Sequence, residues 1–160
     1  SRDATKRLIK LGENPKTIFN VGCPRVDLVR NVLLKKTNIN YINNYLTKSG
    51  VGDKIDIKGK FCIVSYHPVT TEFTKNDKNI SNILEILNSM EMNTIVLWPN
   101  SDAGAEKISQ EIRKFRERNK KLKKFKFIIN LPTEIYIQLL NITSCLIGNS
   151  SSGIREGSYC

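Results

Sequence analysis

Apolar residues in this chain fall into two alternating kinds of block. Short, nearly unbroken apolar runs lie at positions 61–66, 94–98, 125–131 and 145–148, with a briefer one at 18–21. Between them the apolar residues recur at three- and four-residue spacing. Ile80, Ile83, Leu84, Leu87 and Met90 form one such series, and Ala105, Ile108, Ile112 and Phe115 form another. Ile135, Leu139 and Leu140 form a third, after Thr133, which reads as an N-cap. Continuous runs predict strands buried on both faces, and the spaced series predict amphipathic helices. Further helices are expected over 4–10, closing at Leu11 and Gly12 with a glycine cap, over 26–34, and over a short stretch at 41–46 within the polar segment 38–59. Strand and helix in alternation imply βαβ units with right-handed crossovers. The expected fold class is therefore α/β, a Rossmann-like parallel sheet with helices on both faces. No internal repeat or low-complexity linker divides residues 1–160, so they are read as a single domain.

In open parallel sheets ligands bind beyond the carboxyl ends of the strands. The residues just past each apolar run are therefore the informative ones. After 61–66 comes His67-Pro68-Val69-Thr70-Thr71-Glu72, and after 94–98 comes Pro99-Asn100-Ser101-Asp102-Ala103-Gly104. After 125–130 come Leu131, Pro132 and Thr133, and after 18–21 come Gly22, Cys23 and Pro24. After 145–147 comes Gly148-Asn149-Ser150-Ser151-Ser152-Gly153-Ile154-Arg155-Glu156. A small-residue turn opening a helix leaves several backbone N–H groups unpaired beside a positive dipole end, a setting for phosphate. That segment points to a nucleotide or sugar-nucleotide binder.

The Ser-rich loop also has other readings. Gly148 and Gly153 carry the glycine spacing of a Walker A loop, but Ile154 and Arg155 stand where Lys and Ser/Thr belong. A nucleophile elbow around Ser150 lacks its final glycine, and the only histidine precedes it in the chain. The alternatives left are an anion cradle and a plain helix cap. Glu156, one turn on, suits a pair of ligand hydroxyls or is simply a carboxylate at a helix start. His67 precedes a proline and should be extended, at a strand end, where it is either functional or packed. Asn100 and Asp102 are either site residues or caps for the helix at Ala105.

Composition narrows the classes. The 160 residues are 39% hydrophobic and 26% charged, ordinary for a globular domain with a real core. No apolar run reaches membrane-span length, and no signal peptide is read, so a cytoplasmic location without a membrane partner is expected. Cys23, Cys62, Cys145 and Cys160 lack metal-site spacing and are expected as buried free thiols. No metal and no cofactor are expected. The net charge of +11 is densest from Arg113 to Lys124, at a helix end and the loop after it. A solvated surface that complements the helix dipole is the expected reading, with no nucleic-acid partner. A basic nucleic-acid-binding module is the competing class.

Taken together, His67-Pro-Val-Thr-Thr-Glu72 and Asn149-Ser-Ser-Ser-Gly-Ile-x-Glu156 resemble the hydrolysing UDP-N-acetylglucosamine 2-epimerases of sialic-acid and legionaminic-acid type. The segment from Gly12 through Gly22-Cys23-Pro24 to Asp27 and the loop Trp98 to Gly104 are similar to further stretches of that family. The non-hydrolysing enzymes carry a His-Arg-Arg-Glu-Asn type motif in place of 67–71. The resemblance implies a GT-B enzyme of two Rossmann-like domains, with this chain most of the second, UDP-binding one. On that footing Ser151 and Ser152, with Ser150 and Gly153 in the same loop, would hold the diphosphate and Glu156 the ribose hydroxyls. Asn100 and Asp102 would line the pocket, and backbone near Leu131 and Pro132 would read the uracil. His67 would be catalytic, facing the diphosphate. The partner implied is a UDP-sugar, in a full-length protein expected to be a homo-oligomer. The catalytic carboxylates would lie in a first domain, and an Arg would lie beyond Cys160. The implied reaction is UDP elimination and glycal hydration. A GT-B glycosyltransferase using a UDP-sugar is the nearest alternative.

Overall fold

The computed structural model describes residues 1–69, 75–119 and 122–160. The Thr70–Glu72 part of the His67 motif, and Lys120 and Lys121 of the basic cluster, lie outside the described residues. The elements in order are α1 (Arg2–Lys10), a 3-10 turn (Pro15–Thr17), α2 (Pro24–Leu33), α3 (Ile39–Lys48), β1 (Val51–Gly52), β2 (Phe61–Ser65) and α4 (Asn76–Ser89). They continue with β3 (Asn93–Leu97), α5 (Ala105–Arg118), β4 (Phe125–Ile128), α6 (Thr133–Ile142), β5 (Cys145–Gly148) and α7 (Ser152–Arg155).

The strands form one sheet in the order β1-β4-β3-β2-β5. Strands β2 to β5 are mutually parallel where they pair, and β1 runs antiparallel along β4. The chain steps outward from β2 to β3 to β4, then returns to the other side of β2 for β5. The direction of winding therefore reverses between β2 and β5. A crevice at the carboxyl ends of two such strands is where open α/β sheets place ligands.

Both faces are covered, as the unbroken apolar runs require. On one face Cys62, Val64 and Phe127 meet Ile80, Leu84 and Leu87 of α4 and Ile108, Ile112 and Phe115 of α5. On the other, Phe61, Ile63 and Ile95 meet Ile42 and Leu46 of α3 and Ile135 and Leu139 of α6. Helix α2 docks outside, through Val29 and Val32 against Ile137. No helix among the described residues is long and apolar enough to cross a membrane.

Several expectations are corrected. Residues 18–21 form no strand; Phe19 and Val21 stay 78% and 75% exposed. An apolar run becomes a strand only where a neighbouring strand takes its hydrogen bonds, and none lies beside it among the described residues. Conversely β1 escaped notice, being two exposed residues of which one is glycine. Thr133 does not cap α6; Pro132 occupies the cap position and Thr133 is the first helical residue. Of the four free cysteines only Cys62 is buried, since Cys145 lies on the edge strand β5 and Cys23 and Cys160 lie outside the core. The end of α1 fits its glycine signal. Gly12, at φ +93°, lets the Glu13 N–H reach the Leu8 carbonyl.

The basic cluster is largely used by the fold. Arg113 lies over Trp98 and Arg116 over Phe127, at 5.6 and 5.4 Å from the ring centres. Lys114, Arg118 and Lys124 pair with Glu111, Glu85 and Glu91.

The tip of β5 approaches β2 more closely than a side chain permits. Gly148 has φ +137°, and a Cβ there would lie 2.1 Å from the Ser65 carbonyl oxygen. Replacing Gly148 with Ala should destabilise the chain by more than about 2 kcal/mol, measured by urea unfolding. Gly59 has open space around its Cβ position and an ordinary φ. Gly59→Ala should stay within about 0.5 kcal/mol of the wild type.

Candidate functional site

The crevice between the ends of β2 and β5 is closed by side chain rather than by ladder. The last registered pair is Ser65 with Gly148. One residue further on, the Asn149 side chain takes over. Its Oδ1 accepts from the His67 N–H at 2.7 Å, and its Nδ2 donates to the His67 carbonyl at 2.8 Å. The amide thus extends the β2–β5 pairing by two hydrogen bonds where the backbone of β5 turns away.

His67 is also fixed through its ring. The Asn100 N–H donates to Nδ1 at 3.2 Å, so in the neutral ring Nε2 carries the proton, facing Ser65 Oγ at 3.3 Å. One residue therefore joins the tips of β2, β3 and β5. Burial pushes its pKa below the ordinary imidazole value, against the opposing pull of the Asp102 carboxylate. The ring is accordingly neutral at pH 7.

The Ser-rich loop presents hydroxyls as well as amides. Ser150 Oγ and Ser152 Oγ share a hydrogen bond at 2.8 Å, and Ser152 Oγ shares another with the Tyr136 hydroxyl. The Ser152 N–H is turned inward to Ser150 Oγ. Among the described residues the N–H groups of Ser150 and Ser151 meet no acceptor. Helix α7 is a single turn of four residues, so its dipole contributes little. This weakens the dipole argument drawn from sequence and leaves the local amides and hydroxyls as the anion donors.

Glu156 follows α7 and is 9% exposed. Its Oε1 accepts from Arg25 Nη1 at 2.7 Å, and its Oε2 is buried with no partner among the described residues. A buried carboxylate oxygen without a donor is costly, unless a ligand supplies one. Tyr136 stands close enough that the Glu156 charge adds to burial in holding its phenol pKa up.

These groups line one cleft of about 500 Å3. Arg25 enters from the start of α2, Ser65 and His67 from β2, Trp98 to Ser101 from β3, Ile129 to Leu131 from β4, and Tyr136 from α6. Ser150, Ser152 and Glu156 close it from the β5 side. Of the residues singled out from sequence, the cleft gathers His67, Asn100, Ser150, Ser152 and Glu156. Ser151 is exposed outside its lining, and Gly153 lines a separate hollow with Leu146 and Gly157. Asp102 also lies outside the lining, where its carboxylate accepts from Asn100 Nδ2. Neither Asn100 nor Asp102 caps α5 through its side chain; Gly104 holds that position. Leu131 reaches the cleft, and Pro132 does not line it. A larger hollow, of about 750 Å3, lies at the opposite end of the sheet beside Asn88, Arg118 and Lys124, away from the strand tips.

Three residues were not found from sequence. Arg25 acts on a partner 131 positions away. Tyr136 lies beside the Ile135, Leu139 and Leu140 series and belongs to no motif. Asn149 was read as part of a motif and not as a clamp. Together the cleft offers neutral donors for an anion, one unpartnered carboxylate oxygen for a hydroxyl donor, and an imidazole between them and β3. This is a set suited to a phosphorylated, hydroxylated ligand.

A family model described as UDP-N-acetylglucosamine 2-epimerase matches residues 1–160. A GDP/UDP-N,N'-diacetylbacillosamine 2-epimerase (hydrolyzing) of Campylobacter jejuni is 28% identical over 96% of this chain and 38% of its own length. A UDP-N-acetylglucosamine 2-epimerase of Neisseria meningitidis is 30% identical over 98% of this chain and 37% of its own. The chain therefore spans less than two fifths of the curated relatives it matches. Among solved structures, the UDP-GlcNAc 2-epimerase of Neisseria meningitidis bound to UDP-GlcNAc superposes with a TM-score of 0.64, at 12% identity, over 96% of this chain and 39% of that one. The UDP-GlcNAc 2-epimerase of Methanocaldococcus jannaschii gives 0.61 at 18% identity, over 99% and 42%. These neighbours have the GT-B fold, and the layered sheet described above is one Rossmann-like unit of it. With the match running the whole length of the sequence, the chain belongs to the UDP-N-acetylglucosamine 2-epimerase family.

Proposed function

We propose that this chain is the UDP-binding half of a hydrolysing UDP-N-acetylglucosamine 2-epimerase. The reaction converts UDP-N-acetylglucosamine and water to N-acetylmannosamine and UDP, in sialic-acid-type sugar biosynthesis. The observation that carries the reading is the cleft at the β2–β5 reversal, where the Ser150–Ser152 hydroxyl chain faces a site that also holds the unpartnered Oε2 of Glu156. The hydrolysing assignment draws support from the names of the Campylobacter and Legionella relatives. The sialic-acid context draws support from a polysialic acid biosynthesis protein of Escherichia coli, 28% identical over 94% of the chain.

In this reading the sugar loses its C2 proton to a base outside this chain while the C1–O bond to UDP breaks, leaving a glycal. Water then adds across the double bond, with hydroxyl at C1 and a proton at C2 on the face that gives the epimer. The task of this half is to receive the leaving diphosphate. Negative charge grows on the phosphate oxygen as the C1–O bond breaks, so preorganised donors lower the barrier. The free amides of Ser150 and Ser151 supply them, together with the one hydroxyl proton that the Ser150–Ser152–Tyr136 chain leaves over. Glu156 accepts ribose hydroxyls, and Asn100 and Leu131 border the base. Asp102 keeps Asn100 oriented. His67 serves as the catalytic residue of this half: its neutral ring, with Nε2–H, stabilises the departing phosphate, and the diphosphate charge beside it raises the midpoint against the cost of the Asn100 N–H that faces Nδ1.

Three outcomes test this. UDP should bind the wild-type chain, and Ser152→Ala or Glu156→Ala should each weaken it by about tenfold or more in calorimetric titration. Unchanged affinity in both variants would sink the site. The chain has one histidine, so its imidazole can be followed by NMR without assignment. Without ligand it should titrate below the ordinary value of about 6.5. Protonation then penalises the fold, so stability holds above that value and falls as pH drops through the lowered one. Saturating UDP should raise the midpoint, and UDP affinity should strengthen as pH falls from 8 toward 6. A midpoint that UDP leaves in place would remove His67 from the diphosphate end. For the full-length enzyme, free N-acetylmannosamine and UDP from UDP-N-acetylglucosamine support the epimerase. Transfer of the sugar to an acceptor would support a glycosyltransferase instead.

A further inference from the structure

We propose that Arg25 is a positioning residue of the nucleotide site, which holds Glu156 and cancels its charge so that a carboxylate can stand beside a diphosphate. The inference rests on the nucleotide reading above and adds to it a residue outside every motif found in the sequence.

Three observations carry it. Glu156 is almost fully buried, six residues from Ser150 and four from Ser152, on the same side of the cleft. Left alone, its charge would be costly to bury and would repel an incoming diphosphate in a medium that screens poorly. Second, Arg25 grips only one oxygen. Nη1 donates to Oε1 at 2.7 Å, while Oε2 stays buried and, among the described residues, unpartnered. The carboxylate is thereby neutralised as a net charge and kept as an acceptor at one defined point. Third, Arg25 is the one Lys or Arg among the described residues that line the cleft. Its side chain remains 56% exposed, so it reaches Glu156 without burying its own stem. Its position at the first turn of α2 is set by Pro24 and by packing of Val29 and Val32 on Ile137. The pair thus ties α2 to the end of the chain across 131 residues.

An arginine in a phosphate site has another obvious use, direct binding of the phosphate. The two roles give opposite results in a double mutant. If Arg25 works by compensating Glu156, removing the carboxylate's charge as well should undo the damage. If Arg25 binds phosphate, removing Glu156's charge does not restore the missing guanidinium, and UDP affinity stays low.

The test is titration of wild type, Arg25→Ala, Arg25→Lys, Glu156→Gln and the Arg25→Ala/Glu156→Gln double variant with UDP and with uridine, which lacks the phosphates. Circular dichroism checks that each variant is folded. Arg25→Ala should weaken UDP by about tenfold or more and uridine by less than about threefold. Arg25→Lys should recover most of the loss, and in the Glu156→Gln background Arg25→Ala should cost UDP less than about threefold. Equal UDP affinity in Arg25→Ala and wild type would overturn the inference. So would equal losses for UDP and uridine, or an Arg25→Ala loss as large in the Glu156→Gln background as in the wild type. Were Arg25→Ala to unfold, Arg25→Gln would take its place, and a UDP loss as large in the Glu156→Gln background as in the wild type would overturn it too. Failure of the wild-type chain to bind UDP at all would instead bring down the nucleotide reading, and this inference with it.

Discussion

Asn149 holds the main chain of His67 from both sides, and the rest of the cleft depends on that hold. A parallel sheet that winds outward and then reverses must bring two strand ends together with nothing between them. Here the ends are those of β2 and β5, and their loops diverge as soon as the ladder stops. Without a link the two loops would move independently. The Asn149 amide supplies the missing pair of hydrogen bonds, and Gly148 allows the approach that puts it in reach. The His67 ring then passes the constraint to β3 through the Asn100 N–H. Three loops that share no sequence neighbourhood are fixed as one frame by two side chains.

Electrostatics is divided by region. Five cations between Arg113 and Lys124 are used by the fold itself, stacked on Trp98 and Phe127 or paired with Glu111, Glu85 and Glu91. The cleft, by contrast, is lined by neutral donors with one ion pair at its side. An anion site built this way relies on fixed dipoles instead of a pool of lysines, so its strength depends little on salt and much on geometry.

The sequence made the sheet legible because β2, β3 and β4 are buried on both faces and so read as nearly continuous apolar runs. Phe61, Cys62, Ile63 and Val64 have no other reading. The same rule misled at 18–21, where Phe19 and Val21 are apolar but lack a neighbouring strand. It also passed over β1, whose two residues pair with β4 without being buried. At the site, His67 and the serines were visible because a strand end followed by small or polar residues is itself a signal. Arg25 gave none. Its role exists only once α2 has folded against α6 and the chain has returned to Glu156. Ser151 and Gly153 show the converse: they lie in the right loop yet outside the cleft lining, while Asp102 touches it only through Asn100.

The Asn149 clamp limits which residues can stand at that position. It asks for an acceptor and a donor on one planar group, at the reach of a single methylene. Aspartate matches the shape but offers no donor to the His67 carbonyl. Glutamine has both groups and overshoots, and serine reaches only one of the two atoms. No like-for-like exchange is thus open to residue 149, and a change there would loosen β2 and β5 together before touching any ligand.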